Sequence, residues 1–297
     1  MYRQLGVIGC GLIGGSFALA MKHAGLARRV VGYSRTPATT ALALHLGAID
    51  AAADSAASAV AGCDIVLIAV PVAATETTLK SIRAALEPGV LLMDAGSTKR
   101  DVVDAARRAL RERIECFVPA HPIAGKESSG VEHAEATLFV GRQVILTPLP
   151  QTDPALLKRA GSVWQSIGAE LRTMSAEEHD ARFAAVSHLP HLLAFAYFST
   201  VADQPAGAEF LALAGPGFRD FTRIAASDPA IWRDILSANR EEVLKQSQQF
   251  RATLDSFETA MRLGQGTALE ALIRGASEGR ADWRMGEPPK RPPPEMA

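Results

Sequence analysis

The sequence predicts an α/β fold in which an N-terminal domain with a doubly wound parallel sheet precedes a mostly α-helical C-terminal domain. Short β-branched runs alternate with Ala/Leu-rich stretches from residue 4 to about residue 148, and nearly every position of these runs is apolar. Continuous apolar strands are typical of parallel sheets that helices cover on both faces. Beyond Pro150 the alternation gives way to long helical stretches. With 297 residues, 48% of them hydrophobic, we expect two domains.

The predicted elements follow in chain order. The strands of the first domain, residues 1–150, are LGVIG, RVVGY, DIVLIAV, VLLMDA, ECFVPA and RQVILTP. The second domain, residues 151–285, has one predicted strand at 170–174 and predicted helices over 175–202, 228–262 and 266–280. Residues 286–297 form a proline-rich tail that we expect to be disordered.

The stretch HDARFAAVSHLPHLLAFAYFSTVA has apolar residues on most faces of its presumed helix, which predicts complete burial. Burial of this extent indicates a homodimer that forms through the helical domain. The alternative is that the helix forms the core of a large monomer.

Composition excludes several classes of function. Lys and Arg number 31 against 32 Asp and Glu, with no long basic block, so we expect neither a nucleic-acid nor a membrane partner. The cysteines, Cys10, Cys63 and Cys116, form no CxxC pair, which argues against a disulfide framework and against a metal site. The apolar N-terminus contains five glycines within residues 6–15 and is therefore a poor signal helix. A cytoplasmic location fits best.

A glycine-rich turn follows the first predicted strand directly and opens the first helix. Gly9 can make the tight turn, Gly11 lets the backbone approach a pyrophosphate, and Gly14 lets helix and strand pack closely. Leu12 and Ile13 lie between them at the helix N-terminus. In this context the GxGxxG spacing predicts a Rossmann dinucleotide site, and the alternative is a glycine-rich turn without a ligand.

Cofactor choice is read at the end of the second strand, where an Asp or Glu would bind the ribose diol of NAD. This chain has Ser34, Arg35 and Thr36 there instead. A guanidinium between two hydroxyls suits a 2′-phosphate, so we predict that NADP is preferred. Alternatively, Arg35 is a solvated charge and NAD is accepted too. At the end of the strand DIVLIAV, its last residue Val70 and the following Pro71 are expected to border the cofactor.

Polar residues just after later strands are candidate catalytic residues, because the carboxyl ends of the strands face the ligand crevice. Ser97 follows VLLMDA, and His121 follows ECFVPA. Pro122 biases His121 toward an extended backbone. Ser97 has the alternative role of N-cap to a helix that begins near Lys99.

Four motifs, HPIAGKESSGVE, DAGSTK, VSHLPH and GFRDFTRIAASDPAIW, resemble the prephenate/arogenate dehydrogenase family over residues 5 to about 260. The resemblance implies that His121 accepts the proton of the substrate's ring hydroxyl and that Ser97 hydrogen-bonds this hydroxyl and holds His121. It also implies that Arg223 binds a substrate carboxylate and that His191 faces the pyruvyl side chain. An ion pair with Asp220 or Asp228 is the alternative for Arg223. Further family positions expected to line or brace the site are Glu127, His188, Arg219, Asp220 and Trp232.

The resemblance implies oxidative decarboxylation of prephenate in tyrosine biosynthesis, with arogenate or dual specificity as the alternative. The presence of His191 favours prephenate, because family members strict for arogenate can lack it. We expect neither a fused chorismate mutase segment nor an appended regulatory domain. A β-hydroxyacid dehydrogenase is disfavoured, since the helix from residue 175 contains no lysine. A non-catalytic NADP sensor would not need His121. The remaining histidines, His23, His45, His133 and His179, are expected at the surface.

Overall fold

The computed structural model of the protein describes residues 1–125 and 128–286. The described residues fall into two compact units, which divide between Val243 and Leu244. Glu127 and the proline-rich tail from residue 287 onward lie outside the described residues. None of the described helices is long and apolar enough to cross a lipid bilayer.

The first sheet has six parallel strands in the order β3-β2-β1-β4-β5-β6. The strands are β1 (Leu5–Ile8), β2 (Val30–Tyr33), β3 (Ala51–Ala52), β4 (Ile65–Ile68), β5 (Leu91–Asp94) and β6 (Phe117–Val118). Ile8 is the register partner of both Tyr33 and Ile68, so the carboxyl ends of the central strands lie at one edge. The doubly wound Rossmann prediction is confirmed. The two-residue strand β3 has no counterpart among the predicted strands.

Five helices connect these strands, and their apolar residues pack on the sheet. They are α1 (Leu12–His23), α2 (Pro37–His45), α3 (Ala56–Val60), α4 (Thr75–Ile82) and α5 (Arg100–Leu110). Every residue of β1, β4 and β5 is buried, as the continuous apolar runs predict. The core extends to Phe17, Phe139 and Trp164, whose rings contact one another.

A second sheet of three strands has the order β7-β8-β9. It consists of β7 (Ala120–Pro122), β8 (Gln143–Leu146) and β9 (Glu170–Thr173), and α6 (Pro154–Ser166) lies between β8 and β9 in the chain. The prediction that RQVILTP joins the parallel sheet is wrong, because β8 pairs antiparallel with β7. The run ECFVPA is divided at Pro119, which has no backbone N–H to donate to a ladder.

The region from residue 175 is helical, as predicted. Its elements are α7 (Ala176–Phe183), a π-helical turn (Ala184–His188), α8 (Leu189–Ala202), α9 (Gly207–Ala212), α10 (Pro216–Thr222), a 3-10 turn (Arg223–Ala226), α11 (Pro229–Ala238), α12 (Arg240–Arg262) and α13 (Gly266–Asp282). The predicted helix over 228–262 is interrupted at Asn239. The short helices α9 and α10 were not predicted. A domain boundary at residue 150 stays a prediction.

The prediction that the stretch ending in α8 is completely buried is wrong for the single chain. Tyr197 and Phe198 are 45% and 39% exposed, and Val186 in the π-helical turn is 71% exposed. Within the single chain, other residues therefore bury only part of the apolar surface of this stretch, and the rest is exposed.

Candidate active site

The glycine turn between β1 and α1 has the geometry that its three spaced glycines predict. Gly9 has a φ of +95°, and a Cβ there would clash with the carbonyl oxygen of Ala69. A Cβ on Gly14 would clash with the carbonyl oxygen of Gly9, so this helix residue can approach the turn only as glycine. A Cβ on Gly11, in contrast, would meet no atom within 4 Å. The backbone at Gly11 is thus open to a ligand at the α1 N-terminus, where Rossmann domains in general bind a dinucleotide pyrophosphate.

The three residues after β2 differ in their surroundings. Ser34 is partly buried, and its Oγ accepts a hydrogen bond from the backbone N of Cys10 at 2.9 Å. Arg35 and Thr36 are exposed. Ser34 therefore connects the end of β2 to the glycine turn, and the Arg35 guanidinium is the cation available beside it.

The segment after β4 borders the same edge of the sheet. Val70 is partly buried, and Pro71 is exposed at the start of a 3-10 turn, Val72–Ala74. Helix α11 packs against this turn. The helical region consequently reaches the edge where Gly9 and Val70 meet.

His121 lies in β7 and has the extended backbone that Pro122 favours. Its Nδ1 lies 2.8 Å from Nε2 of His179, and Nδ1 of His179 lies 2.7 Å from Oδ1 of Asp180. The Phe183 ring packs against both imidazoles, with centroid distances of 5.0 Å to His121 and 4.4 Å to His179. His121 is therefore the outer member of a row of three hydrogen-bonded side chains.

Asp180 also caps helix α5. Lys99 is the N-cap residue of α5 and gives no side-chain cap of its own. The backbone N–H groups of Lys99 and Arg100 donate to the two oxygens of Asp180 at 2.8 and 2.9 Å. Asp180 of helix α7 thus accepts from the N–H groups at the amino end of α5, and the alternative role of Ser97 as the N-cap is wrong.

Lys99 holds the backbone beside His121. Its Nζ is fully buried and lies 2.6 Å from Oδ2 of Asp94 and 2.7 Å from the carbonyl oxygen of Ala120. Oδ1 of Asp94 accepts from the backbone N of Ala120 at 3.0 Å. This buried ion pair fixes the start of β7 to the end of β5, which sets where His121 projects.

The His188 side chain is buried and hydrogen-bonded to Asn239. Asn239 Nδ2 donates to the carbonyl oxygen of Asp180 at 2.8 Å and to His188 Nδ1 at 3.0 Å. Burial lowers the pKa of His188 to about 4, and the backbone of Ser97 partly offsets this effect. Asn239 therefore connects α7 to the π-helical turn that carries His188. Ser97 itself is partly buried, and among the described residues it is His179 that bonds to His121 Nδ1.

His191 and Trp232 form a stacked pair, with ring centroids 3.5 Å apart and an interplanar angle of 18°. His191 Nδ1 bonds to the carbonyl oxygen of Ser187 at 2.9 Å, so its Nε2 faces away from its own helix. Phe195 packs against the same indole. Burial lowers the pKa of His191, which favours the neutral ring.

The two arginines of the predicted substrate site are both exposed. Arg223 opens the 3-10 turn that packs against α8. Arg219 lies on α10 and pairs with Asp220 at 3.1 Å. Asp228, the other carboxylate predicted as an alternative partner for Arg223, caps α11 through the backbone N–H groups of Ala230 and Ile231.

Two family models match this chain. The nucleotide-binding domain of prephenate dehydrogenase matches residues 17–173, and its dimerization domain matches residues 175–275. The chain belongs to the prephenate dehydrogenase family.

Among its relatives, this prephenate dehydrogenase family member is 38% identical to the prephenate dehydrogenase of Bacillus subtilis, over 94% of this chain and 75% of the relative. It is 34% identical to the cyclohexadienyl dehydrogenase of Zymomonas mobilis, over 94% and 96% of the two chains. A crystal structure of prephenate dehydrogenase from A. aeolicus in complex with hydroxyphenyl propionate and NAD+ superposes with a TM-score of 0.88. The A. aeolicus chain is 34% identical to this one, and the match covers 94% of this chain and 97% of the A. aeolicus chain.

Sequence reasoning missed several residues of this family member's candidate site. His179 was expected at the surface and is fully buried, so that prediction is wrong. Asp180, Lys99 and Asn239 were not predicted as site residues either. Asp180 is hydrogen-bonded to the backbone of α5, 80 residues away in the chain, and the sequence gives no sign of this contact between α7 and α5. The adjacent HD dipeptide was the one signal available.

Proposed function

We propose that the chain is a prephenate dehydrogenase that converts prephenate to 4-hydroxyphenylpyruvate by oxidative decarboxylation, in the biosynthesis of tyrosine. The observation that carries the proposal is the hydrogen-bonded imidazole of His121 on β7, in a chain 38% identical to a prephenate dehydrogenase. Burial, together with His179, Lys99 and His188, holds the pKa of His121 well below its usual range. The ring is therefore neutral near pH 7 and ready to accept a proton.

The dinucleotide belongs at the glycine turn, where the open backbone at Gly11 fits a pyrophosphate and the residues between it and Gly14 line the α1 N-terminus. Leu12, Ile13, Val70 and Pro71 border this site. Bound there, an oxidised nicotinamide supplies the acceptor for the hydride that leaves the hydroxyl-bearing ring carbon. Arg35 is exposed beside the turn, and its guanidinium favours the 2′-phosphate of NADP, with NAD accepted less well.

In this mechanism His121 takes the proton of the ring hydroxyl as the carbonyl develops, and Ser97 hydrogen-bonds the same hydroxyl. Arg223 binds one carboxylate of the substrate through paired N–H donors. Loss of carbon dioxide then gives an aromatic ring, so the protein mainly has to orient the dianion. His191 faces the pyruvyl side chain, while Trp232, His188, Arg219, Asp220 and Glu127 line or brace the site.

Arogenate, or both substrates, is the second candidate. The two substrates differ at a side chain that carries a keto group or an ammonium, and His191 is the residue that we assign to this end. Because His191 Nδ1 donates to the Ser187 carbonyl oxygen, the Nε2 of the neutral ring can accept from the ammonium of arogenate, and it can donate to the keto group of prephenate only when the ring is protonated.

A cytoplasmic homodimer is the assembly that we propose. The exposed aromatic residues of α8 and α10 suit a second copy of the chain, and the helical region matches a family model described as a dimerization domain. Val186, Tyr197, Phe198 and Phe221 would be covered in the dimer.

The proposal is tested by following reduction of NADP+ and of NAD+ with prephenate and with arogenate, in four parallel assays. We expect the highest kcat/KM with prephenate and NADP+. Activity with arogenate alone would reassign the substrate, and a clear preference for NAD+ would overturn the role of Arg35. Turnover with neither substrate would refute the function.

A further inference from the structure

A row of buried side chains runs from the amino end of α5 to the His121 ring. The contacts are Asp180 Oδ1 to His179 Nδ1 at 2.7 Å and His179 Nε2 to His121 Nδ1 at 2.8 Å. Asp180 is 1% exposed and His179 is 0% exposed. Water does not compete for these two contacts, so the hydrogen-bond donors and acceptors can be assigned from the protein alone.

Asp180 fixes the first assignment because it accepts hydrogen bonds on both oxygens. Backbone N–H groups of Lys99 and Arg100 donate to it, and these groups can only donate. Burial by itself raises the pKa of Asp180, but the hydrogen bonds from His179, Arg100 and Lys99 bring the pKa below its ordinary value. Asp180 is therefore a carboxylate and an acceptor only.

The other assignments follow along the row. Because Asp180 only accepts, His179 Nδ1 carries a proton. Burial lowers the pKa of His179 despite the hydrogen bond to Asp180, so the ring is neutral and its Nε2 must accept. His121 Nδ1 is then the donor in the contact between the two imidazoles. Since His121 is neutral as well, its Nε2 carries no proton.

We propose that Asp180 and His179 are positioning residues that fix His121 in the tautomer whose Nε2 is an unprotonated acceptor. This inference rests on the proposed function, in which His121 Nε2 takes the hydroxyl proton of the substrate. The free imidazole has two tautomers, and only this one presents a base to the substrate. The same row stabilises the imidazolium after proton transfer, because the charge of Asp180 acts through His179.

Charged and titratable groups surround His121 on every element packed against it. Lys99 and Asp94 form an ion pair on the β5 side, His179 and Asp180 lie on α7, and His188 lies in the π-helical turn. Lys99 and His188 disfavour a charged His121, and Asp180 offsets them once the proton arrives. No other carboxylate among the described residues is hydrogen-bonded to this row of imidazoles.

The first test needs no turnover. Heteronuclear NMR of the imidazole nitrogens, with signals assigned by their loss in His121→Asn, reports which nitrogen of His121 is protonated. We expect a proton on Nδ1 and none on Nε2 in the wild type. In His179→Asn the shorter amide still donates to Asp180 but no longer reaches His121, so we expect both tautomers to appear. In His179→Gln an amide oxygen can replace Nε2 as acceptor, and we expect the single tautomer to return.

The second test is kinetic, with prephenate and NADP+. His179→Asn should lower kcat on the order of 10²-fold, because His121 then also adopts the tautomer in which Nε2 is protonated and cannot act as a base. KM should change little, because the contacts to the substrate remain. His179→Gln should recover most of the loss. His23→Asn, which removes an exposed histidine at the end of α1, is the matched control and should behave as the wild type.

A proton on His121 Nε2 in the wild type would overturn the inference. So would a His179→Asn variant with an unchanged tautomer and kcat, or a His179→Gln variant no better than His179→Asn. If both variants fail to fold, the wild-type tautomer decides alone. If the wild type turns over neither prephenate nor arogenate, the proposed function fails. The NMR result still tests whether Asp180 and His179 fix the tautomer of His121.

Discussion

Arg35 is an exposed cation directly after β2. The hydroxyl of its neighbour Ser34 accepts a hydrogen bond from Cys10 in the glycine turn. The contribution of Arg35 to cofactor choice can therefore be measured separately from the fold. A hydrogen bond to a charged group contributes about 1.5–3 kcal/mol, and each 1.4 kcal/mol is a factor of ten.

We predict that Arg35→Ala lowers kcat/KM for NADP+ by roughly 10- to 100-fold and leaves kcat/KM for NAD+ nearly unchanged. The matched control is Arg29→Ala, at the opposite end of the same strand, which should change neither value. Steady-state kinetics with both cofactors check this. Equal losses for both cofactors in Arg35→Ala would mean that the guanidinium does not read the 2′-phosphate.

His188 couples the stability of the protein to pH. Burial lowers its pKa to about 4 in the folded state, against 6.5 in an unfolded chain. Between these values the unfolded chain binds a proton that the folded chain does not, so stability is complete above about pH 6.5 and falls as the pH decreases toward 4.

From this linkage we predict that the free energy of unfolding of the wild type falls by about 2 kcal/mol through His188 when the pH is lowered from 7 to 5. Urea denaturation of His188→Gln should show a loss smaller by about this amount, whereas the exposed-site variant His23→Gln should follow the wild type. Parallel pH dependence of His188→Gln and wild type would show that His188 titrates as in a free chain.

At this scale the sequence predicts local geometry well and long-range pairing poorly. The conformations at Gly9, Gly11 and Gly14 follow from a turn that neighbouring residues make. The burial of His179, in contrast, depends on α5, and the position of Asn239 depends on its bond to the Asp180 carbonyl. Neither hydrophobic periodicity nor motif spacing predicts such contacts between residues that are far apart in the chain.

Among the elements, α5 depends on a residue from another helix. Its own N-cap residue, Lys99, uses its side chain to bind Asp94 and Ala120, so the cap comes from Asp180 on α7. One carboxylate thus serves the amino end of α5 and the row of imidazoles together.

Asp180→Ala should lower the free energy of unfolding by roughly 2–4 kcal/mol, because it removes the cap and leaves buried N–H groups without an acceptor. Asp104→Ala, on the exposed face of α5, is the control and should cost little. Equilibrium denaturation measures both. A value for Asp180→Ala close to that of Asp104→Ala would contradict the capping role.

The sequence predicts where strands with long apolar runs lie, but it predicts less well which strands pair with each other. β1, β4 and β5 lie where the apolar runs predict. The split of ECFVPA into β6 and β7 was not foreseen, although Pro119 marks it, because the second sheet forms only when β8 pairs with β7. The sequence likewise does not predict the π-helical turn at 184–188, in which His188 is buried.

For the whole molecule, the apolar surface of the helical region is the feature that a single chain leaves unexplained. Tyr197 contacts Phe218 and Phe221 at centroid distances of 5.6 and 5.4 Å, and Phe221 remains 55% exposed. Sequence hydrophobicity predicts burial of the stretch that contains Tyr197, and a homodimer would provide it.

Sedimentation should therefore give the wild type twice the chain mass, and Phe221→Glu should shift it toward the monomer, because a charge placed in an apolar interface is left without a partner. Leu46→Glu, a comparably exposed apolar site at the end of α2, is the control and should stay dimeric. A wild type that sediments as a monomer at micromolar concentration would refute the assembly.

The most direct test of the account is the turnover of His121→Asn, compared with the wild type under saturating prephenate and NADP+. We predict that kcat falls by about 10²–10⁴-fold, as expected for a lost general base, while the Kd for NADP+ is essentially unchanged. An unaltered kcat would contradict the account, because it would mean that the imidazole at the end of the Asp180–His179 row takes no proton from the substrate.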